Sequence, residues 1–272
     1  MRDDGTRDSA LGARRGGGLG LRRGGVALAL LLLGVLGATA SAQRFGRAEG
    51  EDVAENAAYD GRFTFVRVKF EIAGGEGGWR RDIKWAHDYP RGERHFVRIL
   101  DAVSLAGPRL DSTNVLTLDD PELFKYPVAY LCEPGFWLVS DTEAANLRAY
   151  LLKGGFIIFD DFVGNHWYQF EASLRRAFPE GRLVQLDASH PIFDSFYHIE
   201  SLDFTHPNFP VTPQFYGLFE DNDPTRRLMA IVNYNNDLGD YWEWSDEGFL
   251  PIELTNEAYK LAVNYVVYAM TH

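Results

Sequence analysis

The residues best placed to do chemistry are carboxylates and imidazoles that follow apolar runs. The stretch FIIFDD ends on Asp160 and Asp161, and the loop after it brings Asn165, His166, Trp167 and Tyr168. A second loop carries His190, directly before Pro191, and then Asp194. In open α/β sheets ligands bind outside the carboxyl ends of the strands. A carboxylate and an imidazole sharing such a cleft can act as acid and base or bind a divalent metal. Asp160, Asp161, His166 and His190 are therefore the candidate catalytic groups, with Asn165, Trp167 and Asp194 as candidate ligand contacts. Their spacing selects no particular metal and no cofactor. The same residues also have a structural reading, because an Asp after a buried strand caps the next helix or turn and His-Pro marks a rigid loop.

A second cluster is aromatic: Trp242, Trp244 and Phe249 stand beside Glu243 and Glu247, with the amides of Asn233, Asn235 and Asn236 before them. Trp242 and Trp244 can stack on a sugar ring while amides and carboxylates bind its hydroxyls; they can equally pack a loop onto the core. The single cysteine, Cys132, excludes an internal disulfide and a zinc–thiolate centre.

The elements that must position these groups are legible from hydrophobic period. Residues 63–72 alternate Val66, Val68, Phe70 and Ile72 with Arg67, Lys69 and Glu71, which predicts a half-exposed strand at or near a sheet edge. Glycines at 74–78 read as a flexible turn. Residues 94–105 place Phe96, Val97, Leu100 and Val103 on one helical face, and 114–118 read as a short strand. Residues 126–131 are a buried strand, Ser140 to Glu143 is a capping box opening a helix, Gly154 and Gly155 end it, and 156–159 form the next buried strand. That is a strand–helix–strand crossover, so the sheet is at least partly parallel. Further strands are expected at 182–186 and 228–234 and helices at 171–178 and 256–270. The alternation predicts one doubly wound, mostly parallel α/β sheet with helices on both faces.

Composition limits partners. The 272 residues carry a formal charge of −12. Residues 1–42 hold six Arg against three Asp, so the chain after them stands near −15. Such a chain repels phosphate backbones and anionic membrane surfaces. Within residues 1–42, Arg14, Arg15, Arg22 and Arg23 precede the apolar run 26–36, and Ala40-Ser41-Ala42 follows, the order of a secretory signal peptide cut between Ala42 and Gln43. The alternative is an uncleaved leader that anchors the chain, the only expected membrane contact. Residues 43–61 read as a flexible tether and 62–272 as one domain, in the periplasm or otherwise exported.

The runs LFKYPVAYLCEPGFWLVSDTEAANLRAYLLKGGFIIFDD (123–161), HPIFDSFY (190–197) and AVNYVVYAMT (262–271) resemble a bacterial family known only as a domain of unknown function. That family is related to class I glutamine-amidotransferase-like and trehalose-utilisation-type proteins. The resemblance spans 62–272 and implies a flavodoxin-like fold. In class I amidotransferases the nucleophilic cysteine sits on the tight turn after the strand equivalent to 156–159; here that turn reads Asp160-Asp161-Phe162. Cys132 ends the preceding strand instead, beside Glu133, whose charge opposes thiolate formation. Amidotransferase activity is not expected. The expectation is an exported module that binds an envelope protein or a polar ligand such as a carbohydrate. The alternative is a carbohydrate-directed hydrolase or isomerase using Asp160, Asp161, His166 and His190.

Overall fold

The computed structural model describes residues 53–72, 82–208 and 210–272, all within the compact unit Ala48–His272. The expected leader and the glycine turn at 74–78 lie outside the described residues. Among those described, no helix is long and apolar enough to cross a membrane.

The chain runs β1 (Val66–Val68), β2 (Glu71–Ile72), α1 (Arg91–Val103), β3 (Asn114–Leu116), β4 (Val128–Cys132), β5 (Trp137–Leu138), α2 (Asp141–Leu152), β6 (Phe156–Phe162), α3 (His166–Ala177), β7 (Leu183–Leu186), β8 (Gln214–Phe219), β9 (Leu228–Tyr234), α4 (Leu238–Glu243) and α5 (Ile252–Thr271). Seven strands form one sheet in the order β3-β1-β4-β6-β9-β8-β7, while β2 and β5 pair separately. Strands β3, β1, β4, β6 and β9 are parallel; β8 runs antiparallel to both neighbours. The architecture is α/β with a mostly parallel central sheet.

Alternation along the central strands divides the core. On β4 and β6, Val128, Tyr130, Phe156 and Ile158 pack against Phe96, Trp242 and Tyr265 of α1, α4 and α5. Ala129, Leu131, Ile157 and Phe159 pack on the other face against Leu147 of α2 and Phe170 of α3. Strands buried on both faces must be near-continuously apolar, which is why VAYLC and FIIFDDF are fully buried.

The α2 capping box forms as expected: Glu143 N donates to Ser140 Oγ at 3.2 Å and Ser140 N to Glu143 Oε2 at 2.8 Å. Gly154 takes φ +107° after that helix, a conformation that costs other residues steric strain. One expectation is corrected. Strand β1 is not half-exposed, because α1 covers the Arg67 face and leaves Arg67 1% exposed. The described part of 43–61 lies along β3: Asn56 and Asn114 exchange side-chain to main-chain hydrogen bonds with Val115 and Ala57 at 2.8–3.0 Å.

The chain leaves β1 toward β3 on one side and returns to β4 on the other. The switch point therefore lies at the carboxyl ends of β1 and β4, with β6 and β9 beside it.

Candidate functional site

Four chain segments converge at those carboxyl ends. Strand β4 ends at Cys132, and Glu133 turns the chain with φ +48°. Strand β6 slips register against β9 between Phe159 and Phe162, inserting a bulge in which Asp161 adopts φ +61°. The segment before α1 supplies Lys84, His87 and Asp88, the last at φ +63°. Beyond β9, Asp237 caps α4 by accepting from Asp240 N at 2.8 Å, and α4 adds Asp240, Tyr241 and Glu243. Three acidic residues in the left-handed region, where side chains other than glycine are uncommon, mark a backbone held by its surroundings.

Adjacent Asp160 and Asp161 have opposite fates. Asp160 points into the core, where its Oδ2 accepts from Tyr130 Oη at 2.8 Å, Leu238 N at 2.8 Å and Gly239 N at 3.3 Å. Its Oδ1 accepts from Asn233 Nδ2 at 3.0 Å. Asp160 thus fixes the start of α4 to the sheet, and burial pushes its pKa up to about 7. Asp161 turns the other way, its Oδ2 3.5 Å from His87 Nδ1.

His87 is the hub. Its Nδ1 is also 3.2 Å from Glu133 Oε1, and its Nε2 lies 2.6 Å from Asp82 Oδ1. Burial alone would lower its pKa; hydrogen bonds to Asp161 and Asp82 outweigh that and push it up to about 11, so the ring is an imidazolium at neutral pH. Lys84 Nζ reaches Glu133 at 3.0 Å and Asp82 at 2.8 Å. Burial, then Asp161, pushes Glu133 up to about 8.

On the far side of Asp161, Asp88 and Asp237 form no ion pair among the described residues. Asp88 and Asp237 are held well above the usual carboxylate range, first by burial and then by neighbouring carboxylates. Asp240 is pushed up to about 6 for the same reasons. Asp88 Oδ2 is shut off from solvent and has no hydrogen-bond partner among the described residues, and it lies so close to Gly239 that a Cβ there would meet it at 2.1 Å. The buried Tyr241 hydroxyl, also without a partner, feels the fields of Asp237 and Asp240. His206, fully buried and pushed down to about 4 by burial, sets Nε2 3.7 Å from Asp240. Its Nδ1 accepts from Asn208 N, so the neutral ring carries its proton on Nε2 and offers this site a donor.

The remaining candidates scatter. His166 opens α3 at the rim, its ring 4.7 Å from Phe136 and within the fields of Lys84 and Asp161. Asn165 is exposed beside it, and Trp167 is wedged among Phe162, Tyr216 and Tyr234. His190 lies elsewhere, its ring edge-on to Phe219 and tilted against Tyr268, with Nδ1 accepting from Ile192 N. Those neighbours border Leu228, where β9 begins. Asp194 pairs with His198 on the surface. Trp242 is core, its faces taken by Phe96 and Tyr130, and Trp244 lies under the Arg91 guanidinium.

Cys132 is fully buried. Arg67 Nη1 donates to its Sγ at 3.0 Å, the thiol faces the carbonyls of Lys84 and Trp85, and burial pushes its pKa well up. Beneath it lies a dry ion pair, Arg67 Nε to Glu93 Oε1 at 2.5 Å.

Sequence reading missed His87, Asp88, Asp237 and Asp240, and used Glu133 only as a neighbour of Cys132. A signal was present: an acidic residue directly follows β4, and Asp237 lies three residues past β9. The strand-end rule applied to every strand, not β6 alone, would have found both.

No curated protein matches the chain. The profile of a domain of unknown function, DUF4159, matches residues 64–270, which takes in every residue of the acidic hollow. The chain belongs to the DUF4159 family.

Proposed function

We propose that this chain is an exported envelope module, flavodoxin-like and related to the class I amidotransferases, that binds a polar ligand in the hollow around Asp161. The carrying observation is the contrast at the strand ends. The thiol is sealed between Arg67 and two carbonyls, while Asp161 occupies the bulged turn after β6 and faces His87 and Glu133. The strand order about the switch point supports the flavodoxin-like reading. So many carboxylates favour a ligand bearing positive charge or many hydroxyls, and disfavour phosphate esters.

The test is a thermal-shift screen of the full chain against neutral sugars, polyamines and basic peptides, in parallel with Asp161→Asn. Asparagine tolerates the left-handed backbone. A ligand at 100 times its Kd stabilises by about 2.7 kcal/mol, and that shift is expected to vanish in the variant. A shift equal in both proteins places the ligand elsewhere and sinks the reading.

One observation favours a second reading, hydrolysis. Asp82, His87 and Asp161 form a line in which a carboxylate orients an imidazole beside a second carboxylate, the arrangement of an activated nucleophile. His87 already holds its proton at neutral pH, so it starts as an acid rather than a base. Turnover of aryl glycosides that is lost in His87→Gln would promote this reading above binding.

A further inference from the structure

The acidic hollow has two halves. On one, Lys84 and the His87 imidazolium answer Glu133 and Asp82. On the other, among the described residues, Asp88, Asp161 and Asp237 each place a carboxylate oxygen within 4.8 Å of the others. Two oxygens on opposite sides of a cation bound at about 2.1–2.5 Å are about 4.2–5 Å apart, so a single ion can bridge this set without rearrangement. Two further groups point to a missing partner. Asp88 Oδ2 is buried and bonded to nothing. The Tyr241 hydroxyl belongs to a fully buried residue, has no partner among the described residues and lies within the fields of Asp237 and Asp240. Buried polar atoms are almost always satisfied, and a cation with its attached water would satisfy both.

We propose that Asp88, Asp161 and Asp237 bind a hard divalent cation of the Mg²⁺, Ca²⁺ or Mn²⁺ class, with Asp240, Tyr241 and His206 around it. The ligand set is all oxygen, which favours these ions over Zn²⁺. His206 takes no part as a ligand, because its Nε2 carries the proton; it is placed to orient Asp240. The inference rests on reading this hollow as the ligand site, since it names what organises the carboxylates there.

The experiment is calorimetric and thermal titration of the chelator-stripped full chain with Mg²⁺, Ca²⁺, Mn²⁺ and Zn²⁺, each alone, at pH 7.5. Saturable binding of at least one hard ion is expected, with a melting rise of several degrees. Asp161→Asn and Asp237→Asn should weaken that ion at least tenfold. Both replacements suit the fold, one tolerating positive φ and the other keeping the α4 cap. Glu171→Gln, on the surface of α3 where Glu171 pairs with Arg175, should leave ion affinity within about twofold. A single cooperative melt of ion-free Asp161→Asn certifies that the variant folds. Absence of saturable binding by any hard ion overturns the proposal, as does equal affinity in wild type and both variants. If ions fail but a polar ligand's shift is lost in Asp161→Asn, the inference falls and the binding reading stands; if both fail, both fall.

Discussion

The two edges of the parallel sheet treat their polar groups in opposite ways. At the amino edge the Tyr150 hydroxyl donates to the carbonyls of Tyr126 and Phe156, Arg227 closes on the carbonyls of Leu151 and Gly155, and Leu228 N finds the Tyr268 hydroxyl. Neutral donors and one cation satisfy neutral acceptors there. At the carboxyl edge, carboxylates are crowded together, Asp88 Oδ2 is left without a partner, and the backbone is bent into left-handed turns to keep them so. One edge satisfies its polar groups; the other keeps an electrostatic cost.

Three perturbations test that contrast, in falling order of effect. Arg67→Met leaves Glu93 charged, buried and unpaired beneath the carboxyl edge. It should destabilise by about 3–5 kcal/mol in denaturant melts, whereas the double change Arg67→Met/Glu93→Leu recovers most of the loss. Equal losses in both would mean that packing, not charge, holds α1 to β1. Raising the pH from 6.5 to 9 is the second. Asp160 and Glu133 titrate near 7 and 8 in the fold and near 4 when unfolded, and His87 keeps its proton to about 11. The folded chain therefore binds more protons than the unfolded one throughout this interval, and ion-free stability should fall by roughly 1–3 kcal/mol. A flat or rising profile would show that the carboxyl edge carries no such cost. Smallest is Tyr150→Phe, which removes two neutral hydrogen bonds at the amino edge. A loss of about 1 kcal/mol is expected by melting, with ligand and cation binding at the other edge unchanged.

Much of the scaffold was readable locally. Val128 to Cys132 and the run from Phe156 could only be buried strands, and Ser140, Glu143 and Gly154 bracket α2 through chemistry confined to a few residues. Arg67 was not readable, because its period-2 position says solvent while its partner, Glu93, stands 26 residues away on a helix whose placement is tertiary. The site divides in the same manner. Asp161 follows from the rule that strand ends bind ligands. His87, Asp88 and Asp237 come from loops that local pattern leaves undirected, and His190 sits beside the start of β9, although its His-Pro sequence resembles any other strand-end loop.

The left-handed turns at Asp88, Glu133 and Asp161 also fix what protein engineering would do to this molecule. Each is a position where glycine fits the backbone better than the residue present. A stability-driven redesign would therefore start with these three, each relaxing the backbone at the cost of a carboxylate in the hollow. The places where this backbone is easiest to relax are the places where the hollow's carboxylates stand.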